Sequence, residues 1–395
     1  MLDNLIMCEK EKHIAFLLGS GFSVPAGLPT ASDISHATKT MIDSSTYLSF
    51  QDGNAGILQC FVLNQALVGC DKEEFNYEQY FDCLEEEKAK ALDSKGLFSF
   101  VEKGMYEFCW KCKKDDDKNN TKHREQITKI FEALKKECCN DLSDYSKIVE
   151  GVEQTYQNFI ANSIIGDAAN GKFNHYLAAY NGFVSILSHY VNQGYIIDIY
   201  TLNHDLYLES LLALTDLNGN VCNGFGGETK LICGKEVKEF SLNYFNNSIR
   251  IYKLHGSIDV HELSFADSTE KHYIQIVDGY SDDNAFIMDS TQFASILPLF
   301  LTGKTSKEKK YKLEPFATML EEFKNNIGKA EKLIVIGYSG NDDGINEIIF
   351  ENYSNWNDAY VVIPNANEHC FVKDKYARPV NKKTESLIAK DLDVD

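Results

Sequence analysis

The chain has 395 residues, of which 44% are hydrophobic and 6 are proline, and a chain of this length and composition can bury a sizeable core. Its net charge of −20 argues against non-specific binding to nucleic acid, because a strongly acidic surface repels phosphates. No apolar run reaches the length of a membrane span and no leader-like segment opens the sequence, so we expect a cytoplasmic protein whose 11 scattered cysteines are reduced thiols.

The first predicted strand covers residues 13–18 and stops at a Gly-Ser-Gly turn. Gly19 and Gly21 lack a Cβ, so they can adopt a positive φ and leave their N–H groups facing a pyrophosphate, whose charge a following helix N-terminus also favours. The same pattern is typical of a tight strand-to-helix turn that binds no ligand. Taken alone, the segment leaves both interpretations open.

A helix-rich insertion is predicted over residues 40–170. Apolar residues recur at helical spacing within 127–138 and 145–160, and again within 173–191. Such stripes are core faces first of all, because apolar surface of this extent must be buried. The insertion could cover a nucleotide site or form subunit contacts, and the sequence does not choose between the two.

Three further predicted strands each end in a polar or glycine-rich cluster. The strands cover 195–200, 249–254 and 332–336, and the clusters follow at 201–205, 255–257 and 337–342. Because open α/β sheets bind ligands at the carboxyl ends of their strands, we expect all these clusters to converge on one site. The predicted fold class is therefore α/β: a Rossmann-like, mostly parallel sheet with helices on both faces, plus the large helical insertion.

Weaker patterns predict the remaining elements. They comprise a helix over 205–214 capped by Asp205, a mobile loop at 224–227, a strand over 272–277, a solvated basic loop at 304–312, the last strand of the sheet at 359–363, and a polar tail from 371.

Together, the four strand ends resemble the sirtuin superfamily of NAD-consuming proteins. That family has a Gly-Ala-Gly-x-Ser turn with Ala-Gly-x-Pro after it, then Thr-Gln-Asn-x-Asp, a His-Gly, and a Gly-Thr/Tyr-Ser turn. This chain has, in the same order, Gly19-Ser20-Gly21-Phe22-Ser23 with Ala26-Gly27-Leu28-Pro29, Thr201-Leu202-Asn203-His204-Asp205, His255-Gly256-Ser257, and Gly337-Tyr338-Ser339. The resemblance implies an NAD-binding α/β core formed by residues 1–39 and 171–370, the insertion over 40–170, and a C-terminal tail over 371–395.

The resemblance also implies the site residues. NAD contacts are expected from Gly19, Ser20, Gly21, Ser23, Pro29, Thr201, Asp205, Gly337, Ser339 and Asn365. Asn203 is the candidate for holding the ribose hydroxyls and the attacking water, because its amide offers a donor and an acceptor. His255 is the candidate base, because an unperturbed imidazole is largely neutral at pH 7. His204 occupies a variable position of the motif and is expected to pack or to face solvent.

Two departures separate the chain from protein-deacylating sirtuins. Thr30-Ala31-Ser32 stands where those enzymes have Asp-Phe-Arg, and the two Cys-x-x-Cys pairs of their structural zinc are missing downstream of His255. The lone Cys-x-x-Cys at 109–112 lacks a second well-spaced pair, so no metal is expected. The pattern therefore resembles the branch that hydrolyses NAD outright, known as effectors of bacterial defence against phage.

The resemblance to this branch implies that NAD is the substrate and that the hydrolase activity is restrained by oligomerisation or by a partner protein. The expected partners are further copies of the chain, or a separate protein such as a hexameric DNA-translocating ATPase or a prokaryotic Argonaute. Two alternatives stay open: an NAD-dependent protein deacylase or ADP-ribosyltransferase, and a non-catalytic NAD-sensing subunit.

Overall fold

The computed structural model describes residues 11–44, 66, 75–92, 156–157, 159–164, 177–232, 234–265, 271–277, 279, 292–294, 298–303 and 305–394. The chain divides into two compact units. The first comprises residues 1–28, 165–301 and 311–395, and the second comprises residues 29–164 and 302–310. The predicted helix at 127–138, most of the one at 145–160 and the Cys-x-x-Cys at 109–112 lie outside the described residues. The predicted domain boundaries stay predictions.

Twelve strands are found among the described residues. They are β1 (His13–Leu18), β2 (Ile196–Thr201), β3 (Val221–Cys222), β4 (Phe225–Ile232), β5 (Lys235–Phe240), β6 (Ile249–Lys253), β7 (Val260–Phe265), β8 (Lys271–Ile276), β9 (Gln292–Ala294), β10 (Ala330–Ile336), β11 (Ala359–Val362) and β12 (Arg378–Val380). Seven form a sheet in the order β12-β11-β10-β1-β2-β6-β3, and every neighbouring pair in it is parallel. The other five form an antiparallel sheet in the order β4-β5-β8-β7-β9.

Eight α-helices are described with defined bounds. They are α1 (Ala31–Ser44), α2 (Tyr77–Leu92), α3 (Asn181–Asn192), α4 (Tyr207–Ala213), α5 (Thr305–Lys310), α6 (Phe316–Ile327), α7 (Asp343–Asn352) and α8 (Cys370–Lys375). Residues 156–157 and 159–164 are also helical. None of these helices is long and apolar enough to cross a bilayer.

The parallel sheet separates two hydrophobic cores, because successive side chains of a strand point to opposite faces. Phe16 packs in a core with residues of α3 and α4, whereas Leu17 packs in a core with residues of α6 and α7. All six residues of β1 are buried, as expected for a central strand covered on both faces. The predicted α/β fold with a mostly parallel, Rossmann-like sheet and helices on both faces is confirmed.

The register aligns the carboxyl ends of the central strands. Leu18 pairs with Thr201 on one side and with Ile336 on the other, and Thr201 pairs in turn with Lys253. The residues that follow these four positions therefore leave the sheet along one edge. This alignment brings the clusters predicted from the sequence to the same edge.

The antiparallel sheet was not predicted, apart from one strand. The strand expected at 272–277 is confirmed as β8. The mobile loop expected at 224–227 is wrong, because β4 begins at Phe225 and pairs with β5. Glycines occur there because Gly224 and Gly227 have φ of 81° and 79°, a conformation that other residues rarely adopt.

The C-terminal segment also differs from its prediction. The strand at 359–363 is not the last of the sheet, since β12 pairs in parallel with it at the edge. The polar tail is in fact anchored: Leu387, Leu392 and Val394 are buried in the core beneath α3. Tyr360 Oη donates a hydrogen bond of 2.9 Å to the carboxylate of Asp393. The sequence did not predict this anchoring, because the apolar residues of the C-terminal tail are too widely spaced to form a recognisable helical or strand pattern.

In the second unit, the start of α1 is fixed by a capping box. Thr30 Oγ1 accepts a hydrogen bond from the Asp33 N–H, and Asp33 Oδ2 accepts from the Thr30 N–H at 2.8 Å. Thr30 Oγ1 also donates to Asp33 Oδ2 at 2.7 Å, and this hydrogen bond, together with the one from the Thr30 N–H, lowers the pKa of the Asp33 carboxyl. Thr30-Ala31-Ser32 therefore forms the cap and the first turn of a helix.

The basic run near residue 307 is helix α5 rather than a solvated loop. Lys307 is buried, and its Nζ lies 2.9 Å from Glu78 Oε1 on α2 of the same unit. Lys310 Nζ lies 5.0 Å from the centre of the Phe81 ring. The prediction of a solvated loop is therefore wrong. The contacts that bury this segment join positions far apart in the sequence, so the local pattern of residues does not show them.

Candidate active site

The turns that follow β1 and β10 pack backbone against backbone. A Cβ on Gly337 would lie 2.2 Å from the Phe22 nitrogen, and a Cβ on Gly19 would lie 2.6 Å from the Tyr338 Cα. Gly21 donates its N–H to the Gly337 carbonyl oxygen at 2.9 Å, and Gly19 donates to the Ile336 carbonyl oxygen at 3.0 Å. The glycines are therefore required by this close approach.

This arrangement corrects one part of the sequence interpretation. The N–H groups of Gly19 and Gly21 were expected to face a pyrophosphate, but both are used within the sheet edge. Two short 3-10 turns, Ser20–Phe22 and Val24–Ala26, follow β1 directly. The first turn is anchored by Phe22, whose carbonyl oxygen accepts a 2.6 Å hydrogen bond from Tyr180 Oη.

Asn203 connects the end of β2 to the turn after β1. Its Nδ2 donates to the Gly19 carbonyl oxygen at 3.0 Å and to Ser23 Oγ at 3.1 Å. Its backbone N–H donates to Thr201 Oγ1 at 3.1 Å. Both amide hydrogens are thus committed to the protein, and among the described residues the side-chain oxygen accepts no hydrogen bond.

Asp205 extends the same network. Ser23 Oγ donates to Asp205 Oδ2 at 2.9 Å, while Asp205 Oδ1 accepts from the Tyr207 N–H at 2.9 Å. The helix predicted over 205–214 is α4 (Tyr207–Ala213), and its N-cap is Leu206 rather than Asp205. The carboxylate of Asp205 nevertheless accepts the N–H of Tyr207, the first residue of the helix. Lys253 Nζ donates to the Asp205 carbonyl oxygen.

Lys253 forms a buried ion pair beside this network. Its Nζ lies 3.2 Å from Glu209 Oε1, and its side chain is 9% exposed. Burial raises the pKa of the Glu209 carboxyl, and the positive charge of Lys253 opposes that shift. The pair fixes the carbonyl of Asp205 between β6 and α4.

His255 lies just beyond the end of β6 and forms a second cluster. Its side chain is 6% exposed, and its Nε2 lies 2.8 Å from Tyr311 Oη and 3.3 Å from Asp342 Oδ2. Tyr311 Oη donates to the same Asp342 oxygen at 3.3 Å. The next residue, Gly256, has φ of 80°, and a Cβ there would lie 2.2 Å from the Leu299 carbonyl oxygen.

The turn that carries Asp342 is held by Tyr338. Tyr338 Oη accepts a 3.0 Å hydrogen bond from the Asp342 N–H and donates to Asn346 Oδ1 at 2.9 Å. Asn346 Nδ2 donates to the Gly340 carbonyl oxygen at 2.7 Å. Burial raises the pKa of the Tyr338 hydroxyl, so this phenol acts as a neutral structural group.

Comparison with known protein families agrees with this geometry. Residues 198–387 match the family model of a SIR2-like domain. The match covers just under half of the chain and includes Asn203, His255 and the turn at 337–339. It supports a sirtuin-like family and an NAD-related function. No curated protein matches the sequence.

The aligned ends of the parallel strands bring several predicted contact residues to one edge of the sheet. Gly19, Gly21, Ser23, Thr201, Asp205 and Gly337 belong to the contacts described above. Ser20 and Ser339 are exposed on the two turns. Asn365 follows β11, is exposed, and has a left-handed φ of 60°. Pro29 belongs to the second unit. Their roles toward NAD stay predictions.

The histidine next to Asn203 is a packed residue. His204 is 8% exposed, and its ring centre lies 4.8 Å from that of Phe300 and 6.2 Å from that of His255. Of the two expectations for His204, packing is the one observed.

Three polar residues of the site were missed by sequence reasoning: Tyr311, Asp342 and Lys253. Asp342 carried a signal, since an Asp before a helical pattern is a typical N-cap. Tyr311 carried none, because it lies within the basic run at 304–312 and reaches His255 across 56 residues. Within the part of the chain that the structure describes, no group of three or more His, Cys, Asp or Glu side chains could hold a metal ion.

Proposed function

We propose that this chain is an NAD glycohydrolase, which cleaves the bond between nicotinamide and ribose to give nicotinamide and ADP-ribose. The observation that carries the proposal is the placement of Asn203 and His255 at the aligned ends of neighbouring parallel strands. Thr201 and Lys253, the last residues of those strands, are directly paired. Both candidates lie in the matched SIR2-like region.

Cleavage of this bond passes through an oxocarbenium-like state, in which positive charge develops at the ribose C1′. Nicotinamide leaves as a neutral molecule, so the reaction needs no acid to protonate it. The enzyme must orient the ribose, admit one water and accept a proton. Two polar side chains at one edge of the sheet are sufficient for these tasks.

Asn203 is proposed to hold the ribose or the attacking water through its side-chain oxygen. The amide nitrogen already donates to Gly19 and Ser23, so the group is locked in orientation with its acceptor pointing away from those partners. An acceptor in this position binds a hydroxyl or water hydrogen. A rigid acceptor loses little entropy when the substrate binds.

His255 is proposed as the general base, acting on the water or on a ribose hydroxyl. Its burial excludes bulk water from the ring, and its location at the end of β6 places it beside the cluster of Asn203. A positioned base of this kind contributes about 10²–10⁴-fold to a rate.

Hydrolysis rather than protein deacylation is favoured by the departures from the deacylase pattern. Thr30 caps α1 in place of the missing Asp-Phe-Arg. The chain after His255 continues as β7 and β8 of an antiparallel sheet, without the paired Cys-x-x-Cys of the deacylases.

The test is direct product analysis. Purified full-length chain is incubated with NAD, alone and with the protein encoded beside it, and nicotinamide and ADP-ribose are measured by mass spectrometry. Equal amounts of both products are expected. The rate should fall by about 10²-fold in His255→Ala and stay at the wild-type value in the control variant His189→Ala on α3. NAD loss that requires an acyl-lysine peptide would indicate a deacylase or transferase, and binding without turnover would indicate a sensor.

We further propose that the chain acts in the cytoplasm as a bacterial anti-phage effector that depletes NAD. An unrestrained NAD hydrolase would harm its own cell, so activity is expected to depend on homo-oligomer formation or on a partner such as a DNA-translocating ATPase or a prokaryotic Argonaute. Light scattering combined with a titration of activity against protein concentration tests this dependence. Full activity of a strict monomer without a partner would contradict it.

A further inference from the structure

The group that would act as the base in the proposed reaction is contacted by two side chains from distant parts of the chain. Tyr311 Oη and Asp342 Oδ2 lie 2.8 Å and 3.3 Å from the Nε2 of His255. The two are also joined to each other at 3.3 Å. The imidazole Nε2, the phenol Oη and the carboxylate Oδ2 are thus all within 3.3 Å of one another.

Each partner of His255 is fixed by contacts of its own. Asp342 is the N-cap of α7, because its other carboxylate oxygen, Oδ1, accepts from the Ile345 N–H at 3.1 Å. The Tyr311 ring lies against α7, where a Cβ on Gly344 would be 3.3 Å from its Cε2. Both contacts are made to α7 and neither involves the imidazole.

The charges determine where the proton of His255 resides. A carboxylate oxygen can only accept a hydrogen bond, so Asp342 favours a hydrogen on Nε2 and on Tyr311 Oη. When His255 takes up a second proton, the new positive charge lies 3.3 Å from that carboxylate, which stabilises it. Among the described residues, the titratable groups seen in contact with His255 include Asp342, Tyr311 and the neighbouring ring of His204.

We propose that Asp342 and Tyr311 are positioning residues for His255: together they fix the imidazole, keep a proton on its Nε2 and stabilise its protonated form. The part that concerns catalysis rests on the proposed NAD hydrolysis. The part that concerns the imidazole does not, because it follows from the three-atom cluster alone.

Two isosteric variants separate this role from a structural one. Asp342→Asn keeps an N-cap oxygen for α7 and removes the charge, while Tyr311→Phe keeps the ring on Gly344 and removes the hydroxyl. Asp342→Asn should lower kcat for nicotinamide release by about 10²-fold with little change in KM, because the base is misplaced while binding is kept. Tyr311→Phe should lower kcat by about 10-fold, as expected when one of two contacts of a positioned base is lost.

The second readout does not require turnover. In protein labelled with ¹⁵N-histidine, His255 is assigned by its loss in His255→Ala, and its titration is followed by NMR. Because Asp342→Asn removes the carboxylate, the titration of His255 should move to lower pH in this variant. The same direction of movement is expected when Asp342→Asn is made in a His204→Asn background, which removes the neighbouring imidazole. The acid limb of the kcat/KM profile should move in the same direction.

An unchanged His255 titration in folded Asp342→Asn would overturn the proposal, whatever the chain does to NAD. A loss of kcat with no movement of the titration would reduce Asp342 to a structural N-cap. If the His255 titration moves as expected in Asp342→Asn but the wild-type protein releases no nicotinamide, the proposed function is overturned and the positioning role stands.

Discussion

The side-chain nitrogen of Asn203 donates a hydrogen bond to the carbonyl oxygen of Gly19 at 3.0 Å, and this contact joins the ends of β2 and β1. The same nitrogen contacts Ser23 Oγ, which in turn donates to Asp205. The motif residues at the two strand ends are therefore one hydrogen-bonded unit, in which Asn203 is oriented before any substrate arrives.

Asn203→Ala should abolish most activity at a modest cost in stability. We expect nicotinamide release to fall by about 10²-fold, because the oriented acceptor is lost. The free energy of unfolding should fall by about 1–2 kcal/mol, the usual effect of losing partly buried hydrogen bonds. Steady-state kinetics and urea denaturation provide the two values. Asn243→Ala, at an exposed position, is the control, and equal activity of the two variants would remove Asn203 from the site.

Gly337→Ala should cost more stability than Gly194→Ala, although both glycines have a positive φ. Gly337 has φ of 66° and would place a Cβ 2.2 Å from Phe22, whereas Gly194 has φ of 76° with nothing within 4 Å. The left-handed conformation alone costs about 1–2 kcal/mol, and the clash should add about 2 kcal/mol at Gly337. Denaturant titrations of both variants measure the difference. Equal losses would contradict the close packing of the two turns.

Lys253→Met should destabilise the protein by about 3 kcal/mol, because it leaves the buried carboxylate of Glu209 without its cation. Since burial already raises the pKa of Glu209, the deficit should grow as pH rises through that pKa and shrink toward acid pH. The double variant Lys253→Met/Glu209→Gln should recover at least about 1 kcal/mol of that loss. Additive losses in this double-mutant cycle would show that the two side chains do not interact.

His369 should make the protein less stable as pH falls below neutrality. Burial lowers the pKa of His369 from 6.5 to about 4, so between these values the unfolded state binds a proton that the folded state does not. Stability from this group is complete above pH 6.5 and is lost as pH falls toward 4, by an amount on the order of 2 kcal/mol. His369→Asn keeps the N-cap acceptor that His369 Nδ1 offers to Phe371. A pH series of denaturation should therefore be flatter for the variant, and parallel curves would exclude His369 as the cause.

The central strands could be predicted from the sequence because they are buried on both faces. His13–Leu18 and Ile196–Thr201 consist largely of apolar, often β-branched residues, and such continuous runs are typical of parallel sheets. Their polar ends were equally visible. The motif pattern therefore located Asn203 and His255 correctly at one edge of the sheet.

The antiparallel sheet escaped prediction because its strands are half exposed and rich in charge. Lys235–Phe240 has one fully buried side chain, Val237, between lysines and glutamates. The same holds for Arg378–Val380 at the edge of the parallel sheet, a three-residue strand with a proline at its centre. Neither segment has an apolar run, so pairing with neighbouring strands, which the sequence does not show, decides their structure.

The detailed geometry of the site also exceeded what the sequence could reveal. Glycines at 19 and 21 predicted an unusual backbone conformation or a close contact. Close approach to Gly337 and access to a phosphate both require glycine, so the sequence could not distinguish between them. Tyr311 reaches His255 through the fold alone. Long-range contacts between single side chains leave no local pattern.

The most direct test of the proposed function is hydrolysis of NAD in water enriched in ¹⁸O, with the products analysed by mass spectrometry. If the chain is an NAD glycohydrolase, nicotinamide and ADP-ribose form in equal amounts, each ADP-ribose carries one oxygen atom from the water, and both products form slowly in Asn203→Ala and His255→Ala. Intact NAD in the presence of every activating partner, or turnover that is equally fast in the two variants, would contradict it.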